Sequence, residues 1–471
     1  MSKSKNRVID HINGERFTPF SLCNKLSAKV LLESASFHKG KERWSVLLIE
    51  KAFEVFEDNR GVFISIENEE KRVENKTIFE VLSYFANQHK GSEFGFPIPS
   101  GGVGYLSYEY AADFDKVILN ENKKDSINIK KGSFLFGNLF LIFDHYTDLI
   151  YLLGLNYKEK SVDLQKLIKK TKKRICDYNF NFMVSEETSY EINLPPQDGE
   201  LHSFKKKFET IQSEITKGNI IQAVLSRRLK IKTKMPPLEA YRNLRSINPS
   251  PYLFYFDFED FQLFGSSPEV HVKVVGKEIE MRPIAGTRPR GRSDVEDELL
   301  KNELLGDKKE LAEHLMLVDL ARNDMGRVCK PGTIEVSEFM SVERYSHVMH
   351  IVSHIKAQLM QDKSGFDAIE ATFPAGTVSG APKISAMQII DSLEEEKRGF
   401  YAGVVGWIEP QGHLNCCITI RSAVKKGENL FLQAGAGIVH DSVCENEFAE
   451  IDKKLAALLK AIGAKNVSDN R

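Results

Sequence analysis

Two pairs of carboxylates are the first sign of chemistry in this sequence. Glu310 and Glu313 lie three residues apart in Lys308-Lys-Glu-Leu-Ala-Glu-His-Leu-Met-Leu-Val-Asp-Leu320. The apolar period of that stretch and its lack of Gly or Pro predict a helix, which would set both carboxylates on one face. Glu447 and Glu450 repeat the spacing in Glu445-Asn-Glu-Phe-Ala-Glu-Ile-Asp-Lys-Lys454 on a second predicted helix. Two such helices facing each other would gather hard oxygen ligands, the donor type Mg²⁺ accepts while keeping waters and substrate oxygens in its other positions. The same spacing also suits an ordinary solvated helix face, so spacing alone leaves both readings open.

Glycine-rich segments offer a second kind of site. Phe373-Pro-Ala-Gly-Thr-Val-Ser-Gly-Ala-Pro-Lys383 and Leu432-Gln-Ala-Gly-Ala-Gly-Ile-Val439 could each bring backbone N–H groups close to a carboxylate, and the first runs into a predicted helix whose N-terminus favours anions. Tight turns between packed elements would need the same residues. Arg421, ending the strand-like Ile418-Thr-Ile-Arg421, suits a bidentate carboxylate clamp or a surface salt bridge. His314, His347, His350 and His354 invite a metal reading; His350 and His354 share helical spacing, but HEXXH is absent and no zinc site is expected. No GxSxG elbow is present for a Ser-His-Asp hydrolase. Gly101 to Glu109 is glycine-rich but lacks the ending of a phosphate-binding loop, and reads as a turn feeding a strand.

The elements that must position these residues follow from patterning. From about residue 15 to 155, short apolar runs such as Trp44–Glu50, Val62–Ile66 and Leu139–Asp144 are broken by polar turns, which predicts strands. Lys158 to Tyr178 reads as a charged helix, and Ser185 to Glu200, with paired prolines, as a linker. The sub-domain boundary is placed there, giving a strand-rich part over 1–190 and a second part over 200–465. Ser203 to Lys217 has helical spacing closing at Gly218, and strands and helices alternate beyond it. Lys plus Arg (65) and Asp plus Glu (66) cancel, so the total charge calls for neither nucleic acid nor an anionic membrane. A polar N-terminus and the lack of an 18-residue apolar run predict a cytoplasmic protein. The six cysteines lack CxxC spacing and read as reduced packing residues.

Taken together, Met281-Arg-Pro-Ile-Ala-Gly-Thr-Arg-Pro-Arg-Gly291, Ala312 to Asp324, Phe373 to Lys383 and Ala434-Gly-Ala-Gly-Ile438 closely resemble the chorismate-utilising enzymes, in one order over roughly residues 200 to 460. Within them, Pro-Ile-Ala-Gly-Thr and Ala-Gly-Thr-Val-Ser-Gly-Ala-Pro-Lys resemble anthranilate synthase component I, whereas aminodeoxychorismate synthases typically carry lysine at Ala285 and serine at Thr377. The resemblance implies an α+β fold of two large antiparallel sheets packed face to face with helices outside. It implies a magnesium region of Glu310, Glu313, Glu447 and Glu450, with Glu313 and Glu450 as direct ligands holding the ring carboxylate of chorismate. It places Thr377, Tyr401, Arg421, Ala434, Gly435 and Gly437 around the substrate, Arg421 and Tyr401 orienting the enolpyruvyl carboxylate and Gly435 offering its N–H. His350 would sit near the ring and leaving group, His350 or Glu310 would serve in proton transfer, and Lys454 would be a charge partner.

The implied reaction adds ammonia to chorismate and releases pyruvate to give anthranilate. No glutaminase segment with a cysteine nucleophile is visible, so a separate glutamine amidotransferase subunit is the expected partner in a hetero-oligomer. Val30-Leu-Leu-Glu-Ser34 and Asn248-Pro-Ser-Pro-Tyr-Leu-Phe-Tyr255 resemble the feedback segments of anthranilate synthases, making Glu33, Ser34, Pro251, Tyr252 and Leu253 candidate contacts for L-tryptophan; read alone they are a strand end and a proline turn. Asn415-Cys-Cys417, Cys444, His440 and Arg227 depart from the usual family residues and are expected near the site. The rivals are an aminodeoxychorismate synthase component I and a catalytically silent tryptophan-binding regulator. Intact site residues, costly to bury without use, speak against the silent regulator.

Overall fold

Successive side chains of a strand point to opposite faces, and in this protein both faces are apolar. In strand Tyr252–Asp257, Phe254 and Phe256 enter one core while Leu253 and Tyr255 enter another. The same split divides Val46 and Leu48 from Leu47 and Ile49 in Trp44–Asp58, and Phe140 and Ile142 from Leu139 and Leu141 in Gly132–Asp144. Strands of this kind require cover on both sides. The computed structural model describes residues 6–34, 43–91, 95–177, 190, 192, 194, 199–345 and 348–464.

The strands pair antiparallel in two sheets. One runs Arg7–Asn13, Leu149–Leu155, Gly132–Asp144, Trp44–Asp58, Val30–Glu33, Tyr252–Asp257, Gln262–Ser267, Ser422–Lys426, Asn429–Ile438 and Gln222–Lys232. The other leaves the far ends of the two long strands through Val103–Leu106 to Val404–Ile408, Leu414–Ile418, Val270–Val275, Glu278–Met281 and Val348–Gln358, which also pairs with Ile284–Pro289 and Glu335–Arg344. Register shifts between Leu48 and Phe53 bend the long pair, so that each end serves a different sheet and the hydrogen bonding runs on from one to the other. Gly104 is required where the strands crowd, because a Cβ there would lie 2.0 Å from the Ser133 carbonyl.

Val30, Val46, Phe254 and Leu263 of the first sheet share a core with Val103, Val272, Ile279 and Leu414 of the second. The other face of the first sheet is covered by helices Pro19–Leu26, Leu164–Ile175, Glu200–Thr216, Pro237–Ile247, Lys383–Leu393 and Cys444–Ala461, through Leu22, Ile168, Phe208, Tyr241, Ile390 and Leu455. This is the expected α+β arrangement of two packed antiparallel sheets with helices outside. Strands from before residue 190 and after residue 200 interleave in both sheets. Most of the predicted linker lies outside the described residues.

Local boundaries differ in ways the capping explains. The helix expected over Lys158–Tyr178 is Leu164–Ile175, started by Asp163, whose carboxylate accepts from the Lys166 N–H. Gly101 to Glu109 is a turn into strand Val103–Leu106, as expected. All six cysteines are free. No helix among the described residues is long and apolar enough to cross a membrane.

Candidate active site

Both carboxylate pairs fall on helices. Asp307 caps Lys308–Gly326 by accepting from the N–H groups of Lys309 and Glu310, which brings Glu310 and Glu313 onto one face. Glu447 and Glu450 ride on Cys444–Ala461, which packs on strand Asn429–Ile438. The two helices bring their carboxylates together: burial, then the charges of Glu310 and Glu450, push Glu313 up to about 7. Burial also raises Glu310 and Glu447, and Glu450 adds to the rise of Glu447. Arg288 offsets Glu310 at 3.4 Å, and Lys454 lies 2.6 Å from Glu450. Among the described residues no three His, Cys, Asp or Glu side chains are close enough to enclose a metal ion. Crowded, partly uncompensated carboxylates nevertheless suit a hard cation such as Mg²⁺, which needs one or two protein carboxylates and takes its other oxygens from substrate and water.

Lys454 also donates to the Gly435 carbonyl at 2.8 Å, tying this helix to the glycine-rich strand. Gly435 is required: a Cβ there would lie 2.7 Å from the Tyr401 hydroxyl and 3.0 Å from the Leu225 carbonyl. A Cβ on Gly437 would meet the Gln222 amide at 2.3 Å, and Gln222 Oε1 is buried without a hydrogen-bond partner. Ala434 turns its side chain into the core beneath the helices, so its backbone is what it can offer a ligand.

Arg421 does not end a strand. The strand stops at Ile418, and Arg421 has a left-handed backbone (φ 50°) in the bend before Ser422–Lys426. That bend is what turns the guanidinium toward Glu450 and Tyr401, whose fields act on it, while burial lowers its own pKa. Tyr401 is 3% exposed, and burial raises its phenol to about 12.

His350 and His354 lie on strand Val348–Gln358, not on a helix; four residues apart is also an even strand spacing. Nδ1 of His350 is 2.9 Å from the Gly286 carbonyl and 3.1 Å from Thr287 Oγ1. A carbonyl only accepts, so Nδ1 carries the proton and Nε2 is left as an acceptor in the neutral ring. Burial lowers the His350 pKa and so favours that neutral form. The other histidines are elsewhere: His314 bonds Ser353 at 2.7 Å, His354 pairs with Glu280, and His347 lies outside the described residues.

The sequence reading overlooked Glu269. It follows Pro268 in the turn between strands Gln262–Ser267 and Val270–Val275 and is 7% exposed. Burial pushes its carboxyl up to about 8, with Thr377 and Lys454 pulling the other way. Its charge reaches Tyr401 and Tyr345. Thr377, in the 3₁₀ turn Gly376–Val378, has a buried hydroxyl near enough to favour ionised Glu269. A pocket is bounded by Glu269, Gly376 and Thr377 and by Leu317 and Leu320 of the Glu313 helix. Ser266-Ser-Pro-Glu269 looks like any turn; burial is what singles out the carboxyl.

The candidate feedback residues lie apart from this group. Glu33, Ser34, Pro251, Tyr252 and Leu253 all border one pocket, with Trp44 and Trp407. Glu33 accepts from Tyr241 at 2.8 Å and pairs with Arg245 at 3.1 Å. Of the unusual residues expected near the catalytic group, Asn415 and Cys417 border this pocket, Cys417 on a strand whose pairing with Val270 keeps it beside Glu269, and Tyr252 donates to Asn415 at 3.0 Å. His440 is exposed beside Asp441, and Arg227 holds Asp452 at 2.6 Å.

The chorismate binding enzyme family model matches residues 36–460. The chain belongs to this family. As a chorismate-binding enzyme it is 51% identical over 459 residues to anthranilate synthase component 1 of Spirochaeta aurantia, covering 97% of this chain and 95% of that protein. It is 39% identical to the Aquifex aeolicus protein of the same name, covering 94% and 92%. The crystal structure of anthranilate synthase component I from Streptococcus pneumoniae superposes with a TM-score of 0.80 at 31% identity, covering 95% of this chain and 98% of that one.

Proposed function

We propose that this chain is the chorismate-converting component of a cytoplasmic anthranilate synthase, taking chorismate and ammonia to anthranilate, pyruvate and water, with ammonia supplied by a separate glutamine amidotransferase subunit. What supports the reading is a chain of groups acting on one another: Glu310 and Glu450 raise Glu313, Glu450 and Tyr401 act on Arg421, Arg421 acts on His350, Lys454 acts on the buried Glu269, and Tyr401 abuts Gly435. Magnesium held by Glu313 and Glu450, backed by Glu310 and Glu447, would supply positive charge for the ring carboxylate.

Arg421 and Tyr401 orient the enolpyruvyl carboxylate, with the Gly435 N–H beside them. Glu269 is protonated at neutral pH and gives its proton to the allylic hydroxyl, which leaves as water while ammonia forms the new C–N bond. Nε2 of His350 then accepts the ring proton as the C–O bond to the side chain breaks; the enolpyruvyl methylene is reprotonated to pyruvate and the ring becomes aromatic. The second cavity is read as a site for L-tryptophan acting as feedback inhibitor.

The test is purified protein with chorismate, Mg²⁺ and an ammonium salt, followed by anthranilate fluorescence and a coupled pyruvate assay. Both signals, lost with EDTA, support the reading. Chorismate consumed without anthranilate or pyruvate would indicate aminodeoxychorismate synthesis, and no turnover would indicate the silent regulator.

A further inference from the structure

Beneath the proposed site lies a cation that the chemistry above does not use. Arg398 is 2% exposed, and four of its five N–H groups are taken by neighbours at hydrogen-bond distance. Nε donates to Glu394 Oε2 at 2.8 Å and Nη2 to Glu394 Oε1 at 2.8 Å, a forked pair within one turn of chain. Nη1 donates to the Val378 carbonyl at 2.7 Å, and Nη2 also donates to the Val224 carbonyl at 2.7 Å. The guanidinium carbon stands 4.7 Å from the centre of the Tyr108 ring and 5.5 Å from that of Tyr401.

Each of these neighbours belongs to an element that carries a site group. Val378 closes the 3₁₀ turn that holds Thr377, and its neighbour Ser379 accepts from the Val224 N–H at 2.8 Å. Val224 lies on the strand paired to Gly435–Gly437, two residues from Gln222. Tyr401 abuts Gly435. Glu394 in turn accepts from the Ser226 N–H at 2.9 Å and its hydroxyl at 2.7 Å, anchoring the fork to the same strand. A planar guanidinium fixes acceptors in one plane while stacking on an aromatic face, which a lysine ammonium cannot do.

We infer that Arg398 is a positioning residue for the proposed reaction: its fork sets the Thr377 turn, the Gln222-bearing strand and the Tyr401 ring at fixed distances from one another. This rests on the functional reading given above. A buried ion pair that served only stability would leave kcat/KM of the folded enzyme unmoved, so the loss in the first background, and not additivity alone, separates positioning from a structural role of these touching residues.

The test is a double-mutant cycle in the full-length protein with chorismate, Mg²⁺ and ammonium. Arg398→Lys keeps the charge and loses the fork, and kcat/KM is expected to fall about 10²-fold, the cost of misplacing site groups by about 1 Å. In a Tyr401→Phe background the same change is expected to cost less than about fivefold, because the ring it positions has already lost its hydroxyl contact. Equal factors in the two backgrounds, or a loss under about twofold in the first, would overturn the inference. Should Arg398→Lys not fold, as read by circular dichroism, Glu394→Gln loosens the same fork at constant size; the same non-additivity supports the inference and additivity overturns it. Inactivity of the parent protein would instead refute the functional reading, so the two failures are distinct.

Discussion

Replacing Glu269 by Gln removes one proton-binding group at constant size, and its consequences can be worked through. Burial carries this carboxyl from an ordinary 4.5 to about 8. At about 1.4 kcal/mol per pH unit, that penalty on the ionised form is ~5 kcal/mol, an upper value because a real interior relaxes around a charge. The folded chain therefore binds a proton between about 4.5 and 8 that the unfolded chain has released. Stability from this group is complete below the unfolded value and is lost as pH rises through the folded one. Urea unfolding of the parent should thus weaken across that window, and Glu269→Gln should lack this part of the decline, its advantage growing toward ~5 kcal/mol near pH 9. The same variant should lose about 10²–10⁴-fold in kcat for anthranilate formation, the usual worth of a positioned acid. Parallel stability profiles for the two proteins from pH 5 to 9 would refute the buried-acid argument, and near-parent turnover would refute the proposed role.

Glu313→Ala removes a carboxyl held at about 7 by burial and its neighbours; magnesium-dependent turnover should vanish while circular dichroism is unchanged, and near-normal activity would sink the metal assignment. Gly435→Ala places a methyl 2.7 Å from the Tyr401 hydroxyl; an overpacking cost of about 1–3 kcal/mol should appear chiefly as a raised KM for chorismate. Tyr252→Phe deletes the 3.0 Å bond to Asn415; at ~1 kcal/mol per hydrogen bond, the inhibition curve for L-tryptophan should move roughly fivefold with uninhibited turnover intact, and an unmoved curve would count against that cavity as the inhibitor site.

The carboxylate pairs were legible because helix periodicity is local: three residues of spacing and the absence of Gly or Pro were enough to put Glu310 with Glu313 and Glu447 with Glu450. The apolar runs of the first half likewise gave strands, since alternation needs no knowledge of partners. Register and bending were beyond reach. Nothing local shows that Trp44–Asp58 crosses from one sheet to the other, because that depends on the bulges it shares with Gly132–Asp144. Arg421 was placed on a strand because its neighbours are β-branched, yet the left-handed bend that aims it is imposed by the strands it joins. Asn415 was expected beside the catalytic group, and strand pairing turns its side chain toward Tyr252 and the other pocket. Spacing and residue type thus determined which groups could do chemistry. Burial, which pushes the Glu269 carboxyl up to about 8 and encloses the Arg398 guanidinium, is a property of the assembled sheets and was decided only there.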